Sequence, residues 1–326
     1  MEVSSNYSSI SNGTVNNQSS SYNWLPTYQP ILYATLLSPI IVFGIVGNVL
    51  SILVWNKGKR RMKTTSRYMS ALAVADILVL SLAASETWLW NVLEIRLRDY
   101  SLALCGALSY CQCVPRVISA WILVVAAVER AMGVLMPHRA RLTCRPNIAV
   151  IIIGLVCGLL SCAYFPFYID INIYHYNGTG GTEYTLCRYQ HTFSDISIFD
   201  LCMFFVGPFS IIIICNVLIL INIIKRKQAI KDFGSQTTGN RGNQHMLKTV
   251  TLRVIILSLT YCLCIAPGQI YWVVNNTLDS SFSVVLYDVF NILMYLNNGV
   301  NFILYCMLGS GFRKDLVEMF KCRRGT

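Results

Sequence analysis

The chain has 326 residues, of which 55% are hydrophobic and 13% charged, with a formal net charge of +11. Soluble domains carry about 25% charged residues, so an ordinary soluble fold is excluded. The positive charge does not point to nucleic acid: all 26 Lys and Arg except Arg96, Arg98, Arg116 and Arg188 fall in the segments after the first, third and fifth apolar runs, at the helix ends that border those segments, or in the C-terminal tail.

That sorting reads as topology. A membrane helix needs about 20 apolar residues, and loops rich in Lys and Arg stay in the cytoplasm. Seven helices are predicted near residues 30–55, 68–93, 103–132, 147–169, 197–224, 249–275 and 283–308. The fold class is an all-α membrane protein, a bundle of seven transmembrane helices with short connections. The protein is expected to be multi-pass in the plasma membrane, with its N-terminus extracellular and its C-terminus cytoplasmic. An odd number of spans with that polarity suits a receptor. Basic residues beside the spans are attracted by anionic inner-leaflet lipid, so membrane lipid is an expected partner and nucleic acid is not.

Residues 1–24 are Ser- and Asn-rich, with Glu2 the one charge. They lack the basic start and apolar centre of a cleaved signal, so helix one is expected to act as an uncleaved insertion signal behind a disordered tail. Five N-x-S/T sites, at Asn6, Asn12, Asn17, Asn177 and Asn275, all lie in segments expected outside, where glycosylation occurs. Most of the 13 Cys fall within spans. Cys105, at the outer start of helix three, and Cys187, in the 170–196 loop, are expected on the oxidising side, where one pair is the simplest disulfide. In that loop, alternating segments flank N-G-T-G-G, the pattern of a β-hairpin, here a wall or lid over the bundle.

Taken helix by helix, the chain resembles the rhodopsin-like (class A) G-protein-coupled receptors over essentially its whole length. The resemblance rests on Gly47-Asn48 in helix one, L-A-V-A-D ending at Asp76 in helix two, and Cys105 and Glu129-Arg130 at the two ends of helix three. It continues with Pro208 in helix five, C-I-A-P ending at Pro267 in helix six, and N-F-I-L-Y from Asn301 to Tyr305 in helix seven. G-S-G-F-R-K-D-L then looks like a short amphipathic helix eight. The organisation implied is 1–29 as a disordered, glycosylated N-terminus, 30–308 as the bundle, and 309–326 as helix eight and tail. The block S-A-W-I-L-V-V-A-A-V-E-R (119–130) is also similar to invertebrate neuropeptide receptors of the FMRFamide and thyrotropin-releasing-hormone receptor kind.

Several family positions depart. Ala131 stands for Tyr, Phe302 for Pro, Ile265 for Trp and Asn216 for Tyr; Val156 or Cys157 replaces the helix-four Trp, and Leu247 or Lys248 an acidic residue. Phe302 is expected to leave helix seven straighter. Without an acid near Leu247, no salt bridge between helices three and six is expected, which would raise basal activity.

The resemblance implies site roles. Asp76, Ser119, Asn297 and Asn301 match a sodium pocket, the alternative being a protonated Asp76 in a hydrogen-bond network; no cofactor is otherwise required. Glu129 is expected to hold Arg130 at rest and release it to a heterotrimeric G protein when helix six swings about Pro267, with Tyr305 supporting the freed Arg130. Arrestin is the other implied cytoplasmic partner. Cys322, among Lys321, Arg323 and Arg324, suits S-palmitoylation.

The ligand is narrowed by exclusion. Helix seven has no Lys for a retinal Schiff base, and Gln112 stands where amine receptors carry Asp. The outer bundle offers Glu86 and Arg116, which either satisfy each other or bind opposite ends of a polar ligand. Gln112, Asp200, Gln269, Trp272, Asp288 and Tyr295 are expected to line the same cavity, and Trp88 and Trp90 to anchor the outer interface. With the hairpin and the acidic outer residues Glu94, Asp99, Asp170, Glu183, Asp195 and Asp279, this favours a peptide, basic or amidated, as extracellular ligand. The alternative is a chemosensory receptor for small molecules on the same fold. A seven-helix transporter or channel is more remote: the four His (138, 175, 191, 245) lie in predicted loops and the one deep acid is Asp76. No catalytic constellation is present, so the protein is not expected to be an enzyme.

Overall fold

A computed structural model describes residues 25–58, 62–177, 183–189, 198–233, 241–274 and 280–322. Within them, six helices are long and apolar enough to cross a membrane: Tyr28–Trp55, Thr64–Leu93, Leu102–Leu135, Pro146–Ala163, Ile198–Lys225 and Val254–Tyr271. These are helices one to six. The last is the apolar part of a longer helix, Arg241–Val274, so His245 lies on a helix rather than in a loop. Helix seven is a bent pair, Val284–Gly299 and Asn301–Leu308. Helix eight is Ser310–Cys322, and strands β1 (Ile171–Asn177) and β2 (Glu183–Tyr189) form an antiparallel hairpin.

The chain is a multi-pass membrane protein, and its surface is inverted accordingly. Phe43, Leu159 and Leu263 are at least 70% exposed, while Asn48, Ser51, Asp76, Ser119 and Asn301 are buried. A bilayer has no water to satisfy polar groups, so they turn inward and large apolar groups face outward. Small residues bring the helices together, as expected where lipid gives no hydrophobic drive between helices. A Cβ on Gly44 would lie 2.6 Å from Leu80 and 3.0 Å from the Gly299 backbone; one on Gly47 would lie 2.8 Å from Phe302.

Helix ends follow local chemistry. Ser101 caps helix three, its hydroxyl accepting from the Leu104 N–H at 3.2 Å. Helix four stops at Ala163 instead of reaching residue 169, because the chain turns at Tyr164 and Phe165 and Pro166 opens a separate short helix, Pro166–Ile169. Helix two ends at Glu94, whose φ of 58° is left-handed.

Two irregularities position side chains. In helix five, Leu201–Val206 is a π-turn just before Pro208. Proline has no N–H for the carbonyl four residues back, which is that of Phe204. The Tyr261 hydroxyl of helix six donates to this Phe204 carbonyl, joining helices five and six at the break. In helix seven, the expected straightening does not occur: the two halves are bent by 50°. The cause lies one turn before Phe302. Asn48 Nδ2 donates to the Asn298 carbonyl at 2.9 Å, diverting an acceptor of the helical ladder, and Gly299 follows, close against Ile40. A side chain inserted into the ladder beside a glycine kinks a helix as proline does.

At the Cys105 end of the bundle, a Cys105–Cys187 disulfide ties β2 to helix three. Asp99 adds two more ties: its carboxylate accepts from the Cys187 N–H at 3.0 Å and its carbonyl from the Thr185 hydroxyl at 3.1 Å. At the opposite end, Arg313 donates to the carbonyls of Cys306 and Met307 at 2.6 and 3.1 Å, capping helix seven, and Phe312 is buried against Trp55 and Tyr305.

Candidate ligand site and coupling switch

The charged residues at the Cys105 end do not pair as the sequence suggested. Glu86 and Arg116 do not satisfy each other. A short 3-10 turn, Leu97–Asp99, folds Arg98 back onto Glu86, and its Nε and Nη2 reach the two carboxylate oxygens at 2.7 and 2.6 Å. Gln112 is a third donor to Glu86. The forked guanidinium matches a carboxylate in a way a single-point donor cannot, so Arg98 takes the site. Arg98 was legible only as one of four cations outside the basic segments.

Arg116, one turn further along helix three, turns to helix five instead. Its Nη2 lies 2.7 Å from Asp200 Oδ2, and its guanidinium lies over the Phe204 ring, 4.3 Å from the centroid. The Tyr164 hydroxyl donates to the other Asp200 oxygen at 2.9 Å. Tyr164 had no sequence signal beyond its place at the end of an apolar run.

Asp288 takes its partners elsewhere. It is buried against helix one, accepting from the Tyr33 hydroxyl at 2.9 Å and Gln29 at 3.0 Å. Tyr295 is tied to helix two through Thr87 at 2.8 Å. Gln269 is half-buried on helix six; the Trp272 side chain lies outside the described residues. Trp88 is half-buried and donates to Ser38 at 2.8 Å, whereas Trp90 is more exposed, with Arg96 stacked 3.5 Å from its ring centroid. Burial lowers the Arg96 guanidinium below its usual range, partly offset by Asp99.

In mid-bundle, Asp76 is fully buried. Ser119 donates to Oδ1 at 2.9 Å and Asn301 Nδ2 to Oδ2 at 2.6 Å. No bond joins Asn297 to this carboxylate among the described residues. Asp76 and Ser119 each bring oxygen to this point. Asn301 presents an amide N–H here and so supports the carboxylate.

At the far end, Glu129 is buried on helix three and contacts its neighbour Arg130. The Thr64 hydroxyl donates to Glu129 at 2.7 Å, a partner from helix two that no motif announced. The Tyr305 hydroxyl meets Met69 Sδ at 3.3 Å, its ring edge-on to Trp55 at 5.4 Å. Beside Glu129, a cavity of about 290 Å³ opens between Tyr68, Met132, Cys144 and Ile148. Burial pushes the Cys144 thiol up, and Glu129 adds to the shift. Pro267 lies within helix six, which is helical on both sides of it.

Of the modification sites, Asn6, Asn12, Asn17 and Asn275 lie outside the described residues; Asn177 closes β1 and Cys322 closes helix eight, their side chains undescribed.

Comparison with known proteins agrees with this layout. Residues 47–305 match the model of the 7 transmembrane receptor (rhodopsin family). The chain is 25% identical to the thyrotropin-releasing hormone receptor of Gallus gallus, over 96% of this chain and 86% of that one. It is 26% identical to neuromedin-U receptor 2 of Homo sapiens (84% and 68%) and 23% to the RYamide receptor of Drosophila melanogaster (91% and 64%). A family match across more than half the chain, on a bundle with this disulfide and these buried polar groups, means that the protein belongs to the rhodopsin family of seven-transmembrane receptors and is a receptor rather than an enzyme.

Proposed function

We propose that the protein is a plasma-membrane receptor that binds an extracellular peptide at its Cys105 end and activates a heterotrimeric G protein at its Arg130 end. The observation that carries this reading is the similarity, along most of the chain, to receptors named for thyrotropin-releasing hormone, neuromedin U and RYamide. The sorted positive charge supports an outside N-terminus and an inside C-terminus. The hairpin held by Cys187 and Asp99 then walls the entrance, over a floor that includes Arg116 and Gln112.

In this reading the geometry is the resting one. Arg130 is held by Glu129, which Thr64 fixes to helix two. Ligand binding favours the state in which helix six moves about Pro267 and the joint between Phe204 and Tyr261 repacks. Arg130 then faces the G protein. A ligand shifts such an equilibrium only by its preference for one state, so the peptide must contact groups that move. We place a sodium ion at Asp76 and Ser119 in the resting state; bound there it would neutralise the buried carboxylate and hold helices two and three together. Arrestin at the same inner face, glycans at the outer Asn sites, palmitate at Cys322 and anionic lipid at the basic loops complete the proposal.

The test is to express the chain, apply a neuropeptide library, and read G-protein activation across subtypes. A peptide response that is lost in Arg130→Ala at equal surface level is the expected result. No response to any peptide, with Arg130→Ala indistinguishable from wild type, would sink the reading. Glycosidase treatment tests orientation: a mobility shift is expected, and its absence counts against an outward N-terminus.

A further inference from the structure

Three carboxylates within the bundle at the Cys105 end, Glu86, Asp200 and Asp288, are already satisfied by the protein. Both oxygens of Glu86 accept from Arg98, with Gln112 in addition. Asp200 accepts from Arg116 on one oxygen and Tyr164 on the other. Asp288 accepts from Tyr33 and Gln29. A ligand ammonium seeking a counter-ion here would have to displace one of these donors. Where the donor is Arg98 or Arg116, that would strand a second cation in a partly desolvated site, a large penalty.

Arg116 is in the opposite condition. A guanidinium carries five N–H donors and no acceptor. One group, Nη2, is given to Asp200. Nη1 meets only the Met294 thioether at 3.8 Å, a weak acceptor. Nε is buried with no partner among the described residues. Phe204 on the ring face and Asp200 at one corner hold the plane, so the unused donors keep a set direction. Among the three buried or half-buried carboxylates Glu86, Asp200 and Asp288 every one has two donors, whereas Arg116 keeps donors unused.

We infer that Arg116 is the ligand-recognition donor, and that the group it takes is an oxygen acceptor at a peptide end that carries no ammonium. This rests on the peptide reading above and specifies the chemistry of the seated end: a backbone or terminal-amide carbonyl, or a carboxylate. It also departs from the basic ligand that the acidic outer residues encouraged. Asp99, one of those acids, is spent on Arg96 and the hairpin.

The test uses the full-length receptor in cell membranes and a synthetic neuropeptide library. Each sequence is made with a free or acetylated N-terminus and a free-acid or amidated C-terminus. Activation is read on wild type, Arg116→Lys, Arg116→Gln and the charge-neutral pair Arg116→Gln/Asp200→Asn, with surface level measured on intact cells. Active sequences should keep their potency when acetylated. Preference between acid and amide then tells carboxylate from carbonyl. Arg116→Lys keeps a cation beside Asp200 but has no planar fork, and should lose about tenfold in potency, the effect of one charge-assisted bond. The neutral pair, which strands no carboxylate if the single Gln variant fails to reach the surface, should lose at least as much. Responses confined to ammonium-bearing forms would overturn the inference, as would wild-type potency in both Arg116→Lys and the neutral pair. Silence of wild type toward every form would instead overturn the peptide reading, and this inference with it.

Discussion

The two ends of the bundle treat their charges differently. At the Cys105 end three carboxylates are each held by two residues from other elements: Glu86 by Arg98 and Gln112, Asp200 by Arg116 and Tyr164, Asp288 by Tyr33 and Gln29. At the Arg130 end the central cation is held by its own neighbour, and that neighbour, Glu129, is tied to helix two by Thr64 and Tyr68. Networks that span several helices resist change as a unit. A pair of adjacent residues can part while the backbone stays in place. The first arrangement suits a preformed ligand site, the second a switch.

That contrast can be broken from either side. The largest effect is expected at the disulfide. Cys105→Ser or Cys187→Ser frees a crosslink across 82 residues, worth about 4.5 kcal/mol in the chain-entropy view. Surface expression should collapse, or the surviving receptor should lose its peptide response; normal binding in either variant would show that the hairpin is not part of the ligand wall. Next comes Arg130→Ala, which should cut G-protein activation by roughly tenfold or more while leaving peptide binding nearly unchanged. An equal loss of binding would mean that the two ends are not separable.

Asp76 tests the link between them. If sodium rests on Asp76 and Ser119, peptide affinity in wild type should weaken about fivefold or more when sodium replaces a bulky organic cation, and Asp76→Asn should abolish that dependence. A wild type indifferent to sodium would leave Asp76 as a hydrogen-bond hub only. The smallest change is Thr64→Val. Removing one hydrogen bond from Glu129, about 1 kcal/mol, should raise ligand-free activity by up to roughly fivefold. Unchanged or lower basal signalling would argue that Thr64 does not restrain the switch.

Much of this was legible beforehand. The spans and the Cys105–Cys187 pair follow from local composition, because a bilayer imposes the same demand on every helix: hide polar groups and expose apolar ones; the Asp76, Ser119, Asn301 group was legible through the family resemblance. The pairing of charges was not legible. Glu86 and Arg116 looked like partners because both sit in the outer parts of their helices, but which cation reaches a carboxylate depends on how the 94–101 turn folds back and how helix three is rotated. Nor was the bend in helix seven legible. Phe302 in place of proline argued for a straight helix, yet the bend comes from Asn48, about 250 residues away in the chain, taking the Asn298 carbonyl.

The sequence by itself determined the membrane, since hydropathy acts residue by residue, and the family, since its motifs are short and local. Only the tertiary structure decided who neutralises whom, where helix seven bends, and that Arg116 keeps donors to spare. Those outcomes turn on distances of a few ångströms between separate helices, which packing sets and no local pattern encodes.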